Sequence, residues 1–250
     1  MNKIIILDKP PGITSHDACD KVKSILALKK CGHAGTLDPM VTGVLVIATE
    51  NATKIMPLLN KLDKEYVGEA KLHKPMNRAA VEKVIKKYFL GKIKQTPPKR
   101  SRVKRQERER TIHSFKILTF EKRKFTFLVS CEAGTYIRKL IDDLGRKLKC
   151  GAHMSKLKRT KHGPFTEKHM ISIKNLKKTS KKIITLEQTI KLLKTKTLKL
   201  TNKQVADIKI GRFLDIKTDC EDLMVALNNK SKVIALVKKR DNQIKPERII

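Results

Sequence analysis

The chain has no tryptophan and only three tyrosines, and aromatic residues make up 4% of it. Holding single-stranded nucleic acid by broad stacking needs successive aromatic platforms, so that mode is excluded. The five cysteines, Cys19, Cys31, Cys131, Cys150 and Cys220, are odd in number and widely spaced, with no C-x-x-C pair. They support neither a disulfide framework nor a structural zinc site and fit a reducing intracellular compartment. The seven histidines are scattered singly, without H-x-x-x-H, so metal-assisted chemistry has no support. No apolar run approaches the length of about 18 residues that a spanning helix needs. The opening MNKIIILDKP offers a run of four apolar residues before Asp8, too short for a signal-peptide core. Acid is scarce as well: 24 Asp and Glu face 58 Lys and Arg, a formal charge of +34 over 250 residues.

Such a charge repels itself, and the usual compensation is a polyanion. Nucleic acid is therefore the leading partner. A membrane surface is the rival, but no basic amphipathic helix stands out. Hydrophobic residues at 40% of the chain are enough for a real core, which makes wholesale disorder an unsuitable reading.

Residues 3–7 read as a short buried strand, followed by a Pro/Gly loop. Thr14 or Ser15 caps the next helix, whose apolar face is Ala18, Val22, Ile25 and Leu26. VLVIAT (44–49) is a strand, and NATKIMPLL looks helical up to its proline. EYVGEAKLH (65–73) is a strand, and RAAVEKVIKKYFLG an amphipathic helix with Val81, Val84, Ile85 and Tyr88 inward and Gly91 as its stop. After the TPP loop, residues 99–110 (KRSRVKRQERER) are too charged to pack. Residues 112–120 and 124–131 form a hairpin, and 135–148 a helix burying Ile137, Leu140, Ile141 and Leu144. Strands and helices mix without strict β-α alternation, which predicts an α+β domain around an extended, largely antiparallel sheet. Near residue 180 the text becomes a lysine-rich connector and then a short helix, TLEQTIKLLK. From about 195 it reads as a small β module with strands TLKL, RFLDI, LMVALNN and KVIALVKK, the last two joined at Asn228-Asn229.

One stretch carries chemistry: HAGTLDPMVTG, residues 33–43. Asp-Pro commonly initiates turns, so Asp38 reads first as a turn acid. Its setting adds a second reading. Gly32 and Gly35 let the backbone approach a ligand, Thr36 can hydrogen-bond the loop, Pro39 stiffens it, and Thr42-Gly43 turns it into a buried strand. A carboxylate on a rigid loop with no acidic neighbour suits a nucleophile better than a general acid or base. RNA phosphates would repel it unless it met a base or sugar, which requires a flipped-out nucleotide.

LDKPPGITSHD followed by KKCGHAGTLDPMVTGVLVIATENATK resembles the TruB family of pseudouridine synthases. So do KEYVGEAKLH (64–73), EAGTYIRKLIDDLG (132–145) and GAHMSKLKRTKHGPF (151–165), ordered blocks spanning residues 5–165. QTPPKRSRVKRQERERTIH and RTKHGPF look more like the archaeal and eukaryotic, dyskerin-like branch that works with H/ACA guide RNA. The C-terminal stretch is similar to a shortened PUA domain. The resemblance implies a pseudouridine synthase catalytic domain over residues 1–182 and a small, β-barrel-like, PUA-like RNA-binding module over 195–250. It implies isomerisation of uridine to pseudouridine in structured RNA, without cofactor or metal. The substrate it implies is the T-arm uridine of tRNA, or rRNA aimed by an H/ACA guide with accessory proteins. The setting it implies is the cytoplasm of an archaeal-type cell, with the free protein a monomer.

Asp38 takes the catalytic aspartate position, Arg138 that of its ion-pair partner, and Tyr66 that of the aromatic that stacks on the target uracil. His33 matches a residue contacting the flipped nucleotide, and Leu157 an apolar wall of the uracil pocket. Lys9 and Pro10 match the first family block. Lys9, His33, Thr36, Leu157, Lys158 and Arg159 form the expected RNA-binding set, and the 99–110 segment with KLKRTKH is expected to meet phosphates. Each has an ordinary alternative: an exposed helix arginine, a core tyrosine, a hydrogen-bonded loop histidine, a core leucine, a solvated lysine face. A non-catalytic RNA-binding or ribosome-assembly factor is the rival from another class; loss of the aspartate would mark it, and Asp38 is present.

Overall fold

The computed structural model describes residues 2–98, 104–178 and 182–250. The basic run 99–103 thus lies outside the described residues. Strand β1 (Lys3–Lys9) pairs antiparallel with β3 (Thr42–Thr49), and β2 (Cys31–Ala34) folds back on β3. Ile4 to Leu7 and Val44 to Ala48 are all fully buried. Their continuous apolar runs, rather than alternation, mark strands covered on both faces. Ile5 and Leu7 enter one core with Ala18 and Val22, while Ile4 and Ile6 enter the other. Helix α1 (Ser15–Ile25) starts at Thr14 with a complete capping box closed by Asp17.

A 3₁₀ turn, Glu50–Ile55, precedes α2 (Met56–Asn60). Pro57 does not end a helix as its sequence suggests; it sits in the first turn of one, where the missing N–H costs nothing. Strand β4 (Lys64–Leu72) is followed by α3 (Arg78–Tyr88), with Asn77 as N-cap. Val81 and Ile85 are buried as expected, but Tyr88 is 42% exposed; Phe89, the next residue, takes the inward place. The helix stops at Phe89, and Gly91 opens strand β5 (Gly91–Gln95).

β5 pairs with β6 (Arg108–Glu121), which pairs with β7 (Lys124–Cys131). Arg108, Glu109 and Arg110 therefore belong to a strand, against the expectation that this charged run stays unpacked. Their backbone is paired, and Arg110 places its guanidinium beside Glu132 at 3.9 Å. Helix α4 (Ile137–Lys147) buries Ile137, Leu140, Ile141 and Leu144 as its periodicity predicts.

Strand β8 (Ala152–His162) pairs along its length with β4 and touches β3 in parallel at Thr42↔Lys158 and Gly43↔Arg159. Short strands β9 (Phe165–Thr166) and β10 (Ile184–Thr185) add to β8 and β1, and α5 (Leu186–Leu193) follows. The result is a ten-stranded sheet in the order β10-β1-β3-β8-β4-β7-β6-β5, with β2 and β9 off that path. All pairings but the short β3–β8 contact are antiparallel, so the largely antiparallel α+β reading holds.

The C-terminal part is a four-stranded sheet of β11 (Thr197–Lys199), β12 (Met224–Leu227), β13 (Val233–Arg240) and β14 (Gln243–Ile249). Two expectations fail here. RFLDI forms only an isolated bridge, Leu214↔Ile244, and an unforeseen helix α6 (Asn202–Lys209) follows Thr201, which closes another capping box with Gln204. The Asn228 turn is held by its side chain, whose Oδ1 accepts from the N–H groups of Lys230 and Lys232 at 3.0 and 2.9 Å. Val225, Val233 and Leu236 pack into the same core as Ile4 and Val46, so the small sheet covers one face of the large one. No helix among the described residues is long and apolar enough to cross a membrane.

Candidate active site

Asp38 lies on the loop between β2 and β3, and this loop is pinned at nearly every step. The Ser15 hydroxyl at the start of α1 accepts from Leu37 N–H at 2.8 Å and donates to Leu37 O at 3.0 Å, both in a buried setting. Lys9 Nζ donates to the carbonyls of Pro39 (2.9 Å), Pro10 (2.9 Å) and Ile13 (2.7 Å). Pro39 O also accepts from Gly12 N–H at 3.0 Å. At the loop's two ends, the Arg159 guanidinium donates to Gly35 O at 3.0 Å and Val44 O at 2.7 Å.

The two glycines flanking this loop meet backbone demands. Gly35 has φ +70, the left-handed region that a side chain resists. Gly43 has φ +96, and a Cβ there would lie 2.3 Å from Arg159 O, where β3 and β8 come together. Gly32 lies in β2, where a Cβ would meet only ordinary contacts. The strained turn thus accounts for Gly35 and Gly43, and Gly32 is free of that constraint.

From this rigid loop the Asp38 carboxylate forms an ion pair with Arg138 in the first turn of α4. The aspartate side chain is 49% exposed and the arginine 64%. A reacting molecule therefore has direct access to the pair. Tyr66 in β4 lies beneath, 8% exposed. Burial raises its phenol pKa; the Arg159 guanidinium beside it opposes that shift, while the Asp38 charge adds to it. The phenol is thus protonated at neutral pH.

The expected RNA-binding residues differ in exposure. Lys9 and Arg159 are buried, at 0% and 1% exposure, and their donors serve carbonyls of the Asp38 loop. They hold the loop, and neither side chain has exposed surface to offer the RNA. Thr36 is exposed and makes no side-chain hydrogen bond among the described residues, so loop rigidity comes from Ser15, Lys9 and Arg159. Leu157 is half-buried against the core, and Lys158 is half-exposed and ion-paired with Glu167. His33 is half-buried in β2, and burial, then the charge of Arg159, lowers its pKa; its Nδ1 has no partner among the described residues. Tyr66 shows little ring surface, so stacking on a base requires neighbouring side chains to part.

Sequence reasoning names Lys9 and Arg159 without foreseeing their burial, and does not single out Lys64 or His162, which are buried with them under the loop. Lys64 donates to the Asn60 and Leu62 carbonyls; burial, reinforced by Arg159, brings its pKa down to about 8. His162 is fully buried, with Nε2 2.9 Å from Leu59 O and Nδ1 without a partner among the described residues. Burial, then the charges of Arg159 and Lys64, pushes its pKa well below the ordinary value. Folded, His162 is neutral; unfolded, it takes a proton near about pH 6.5. Its contribution to stability is therefore complete above that pH and declines as pH falls toward the folded pKa. Chemical denaturation from pH 8 to pH 5 should show unfolding free energy falling by up to about 1.4 kcal/mol per pH unit for this one site. The slope should flatten in His162→Gln, and an unchanged slope would show that His162 is not the titrating group.

Comparison with known proteins points to one family. The model of the TruB family pseudouridylate synthase N-terminal domain matches residues 23–78 and 73–137, and that of the tRNA pseudouridylate synthase B C-terminal domain matches 138–194. The "Probable tRNA pseudouridine synthase B" of Methanosarcina barkeri is 49% identical over 174 residues, 70% of this chain and 51% of that protein. Its counterpart from Methanopyrus kandleri is 48% identical over 177 residues, 71% and 52% of the two chains. The chain spans about half the length of these curated relatives. Among solved structures, a Cbf5-Nop10-Gar1 complex superposes with TM-score 0.85 at 34% identity, covering 99% of this chain and 84% of that one. An H/ACA RNP bound to a substrate RNA containing 2′-deoxyuridine gives TM-score 0.82 at 32% identity, with coverage of 99% and 84%. With its Asp38 loop and Arg138 helix inside the matched segments, this chain belongs to the TruB family of pseudouridylate synthases.

Proposed function

We propose that the chain isomerises uridine to pseudouridine in structured RNA. The observation that carries this reading is the open Asp38–Arg138 pair on a loop pinned by Ser15, Lys9 and Arg159. The reaction breaks the C1′–N1 bond, turns the base and joins C5 to C1′. The C5 proton leaves and N1 gains one, so nothing is consumed. Asp38 supplies the carboxylate that attacks or assists at the flipped nucleotide. Arg138 orients it, and the protonated Tyr66 is placed to meet the base. His33, Thr36, Leu157 and Lys158 line the approach of the RNA. Lys9 and Arg159 act only through the loop.

Residues 1–182 form the catalytic domain in this reading, and 195–250 a PUA-like module that anchors RNA; β10 and α5 between them pack on the large sheet. The substrates are the T-arm uridine of tRNA and, with an H/ACA guide RNA and accessory proteins, rRNA. The place of action is the cytoplasm. The matches to tRNA enzymes and to H/ACA complexes support both substrates. All of the proposed chemical residues lie in one chain, and a folded T-arm asks mainly for shape and phosphate contacts. The protein alone should therefore modify an unmodified tRNA transcript, as read by pseudouridine mapping. If tRNA stays unmodified while a guide assembly modifies its paired target, the chain is an obligate ribonucleoprotein subunit.

The loop clamp makes its own prediction. Arg159→Met should lower kcat by about 10²-fold, the scale of a catalytic group displaced by about 1 Å, with much less effect on RNA affinity. Arg159→Lys should not restore the rate, because a point charge cannot span the two carbonyls as a guanidinium does. A variant that melts like wild type and turns over at full rate would remove Arg159 from loop positioning.

A further inference from the structure

We infer that a pocket shared by the two sheets, beside α2, binds a backbone phosphate of the RNA. The cavity measures about 340 Å³ and its lining includes Lys30, Lys54, Asn60 and Arg248, with Met56 and Pro57 as an apolar wall. The three cations come from three places in the chain. Lys30 precedes β2, Lys54 lies on the 3₁₀ turn, and Arg248 belongs to β14 of the small sheet. No carboxylate lines the cavity, and none of the three cations has an ion pair among the described residues. The nearby Glu50 carboxylate is engaged with Lys29 N–H at 2.7 Å.

Some surface cations elsewhere are partly neutralised by neighbours: Lys92 and Lys94 by Glu109 and Glu107, Arg146 by Asp142, Lys158 by Glu167. Three unpaired cations around one concavity repel each other unless an anion sits among them. A phosphodiester meets that need, and Met56 and Pro57 offer its ribose an apolar surface. The pocket also adjoins the candidate active site, because Asn60 Oδ1 accepts from Gly35 N–H at 3.2 Å. One phosphate there would tie β14, the 3₁₀ turn and the residue that steadies the Asp38 loop. This gives the small sheet a defined contact with the RNA, and it rests on the reading that the chain acts on RNA.

The test is equilibrium binding of a tRNA transcript, read by fluorescence anisotropy across a salt series. Wild type is compared with Lys30→Gln/Lys54→Gln/Arg248→Gln and with a control of equal charge loss, Lys71→Gln/Lys83→Gln/Lys86→Gln. All six side chains are at or near the surface, and matched thermal midpoints will confirm intact folds. Each lost phosphate contact removes about 0.7–0.9 from the slope of log K against log salt; if the three cations act on one or two phosphates, the pocket variant should be shallower by about 1–2 and the control unchanged. Equal shifts in both variants, or none in either, would overturn the assignment. Added inorganic phosphate or uridine monophosphate should not erase the difference between the variants; if either does so at constant ionic strength, the site belongs to free anions. Binding is read without turnover. A pocket shift in a protein that makes no pseudouridine would sink the proposed activity and leave the pocket standing. A wild type that fails to bind RNA would sink both.

Discussion

Asp38→Asn should retain RNA affinity and lose at least about ten-thousandfold in turnover, roughly 5 kcal/mol of barrier. The amide keeps the shape of the side chain, and the loop that carries it is held by other groups: Ser15 on Leu37, Lys9 on Pro39, Arg159 on Gly35 and Val44. None of these contacts involves the carboxylate, so the backbone should stay where it is. What disappears is the anionic oxygen that can act on a flipped nucleotide. Single-turnover rates at saturating RNA separate this from weakened binding. Residual activity within about tenfold of wild type, far short of what covalent catalysis contributes, would exclude Asp38 as the reacting group.

Arg138→Ala should lower kcat by about 10²–10³-fold, the scale for removing a preorganised donor beside developing charge. The substitution strands no buried charge, because the pair is about half exposed on both sides. Breaking an exposed ion pair costs only about 0–1 kcal/mol, so the thermal midpoint should barely move while the rate collapses. Arg138→Lys should recover only part of the rate, since an ammonium orients a carboxylate less strictly than a guanidinium. A large loss of stability with a modest loss of rate would recast Arg138 as a structural residue of α4.

Where side-chain chemistry and periodicity agree, the fold is legible in the sequence. β1 and β3 announce themselves as uninterrupted aliphatic runs, and α4 as four apolar residues on one helical face. β8 does not. AHMSKLKRTKH has no period-two apolar pattern, yet it is a central strand, and two of its fully enclosed side chains are Arg159 and His162. A cation is read by default as a surface residue, so nothing local signals that Lys9, Lys64 and Arg159 turn inward to satisfy carbonyls. Tyr88 fails in the opposite sense: helical spacing points it inward, but the adjacent Phe89 fills that space. Arg108 to Arg110 pair in a sheet because β5 supplies their backbone partners, a contact that charge-based reading does not foresee. At the site, Asp38 stands out through its motif. Its pairing with Arg138, 100 residues away, is visible beforehand only through the resemblance to a family.

The most direct measurement is release of tritium from RNA carrying [5-³H]uridine, because isomerisation must free the C5 hydrogen whatever the route of attack. The purified protein is incubated with a labelled tRNA transcript and, separately, with a guide-RNA assembly on its paired target, alongside Asp38→Asn at matched RNA occupancy. The account predicts release by wild type on at least one substrate and none above background by the variant. RNA bound by wild type without any release from either substrate, or equal release by Asp38→Asn, would contradict it.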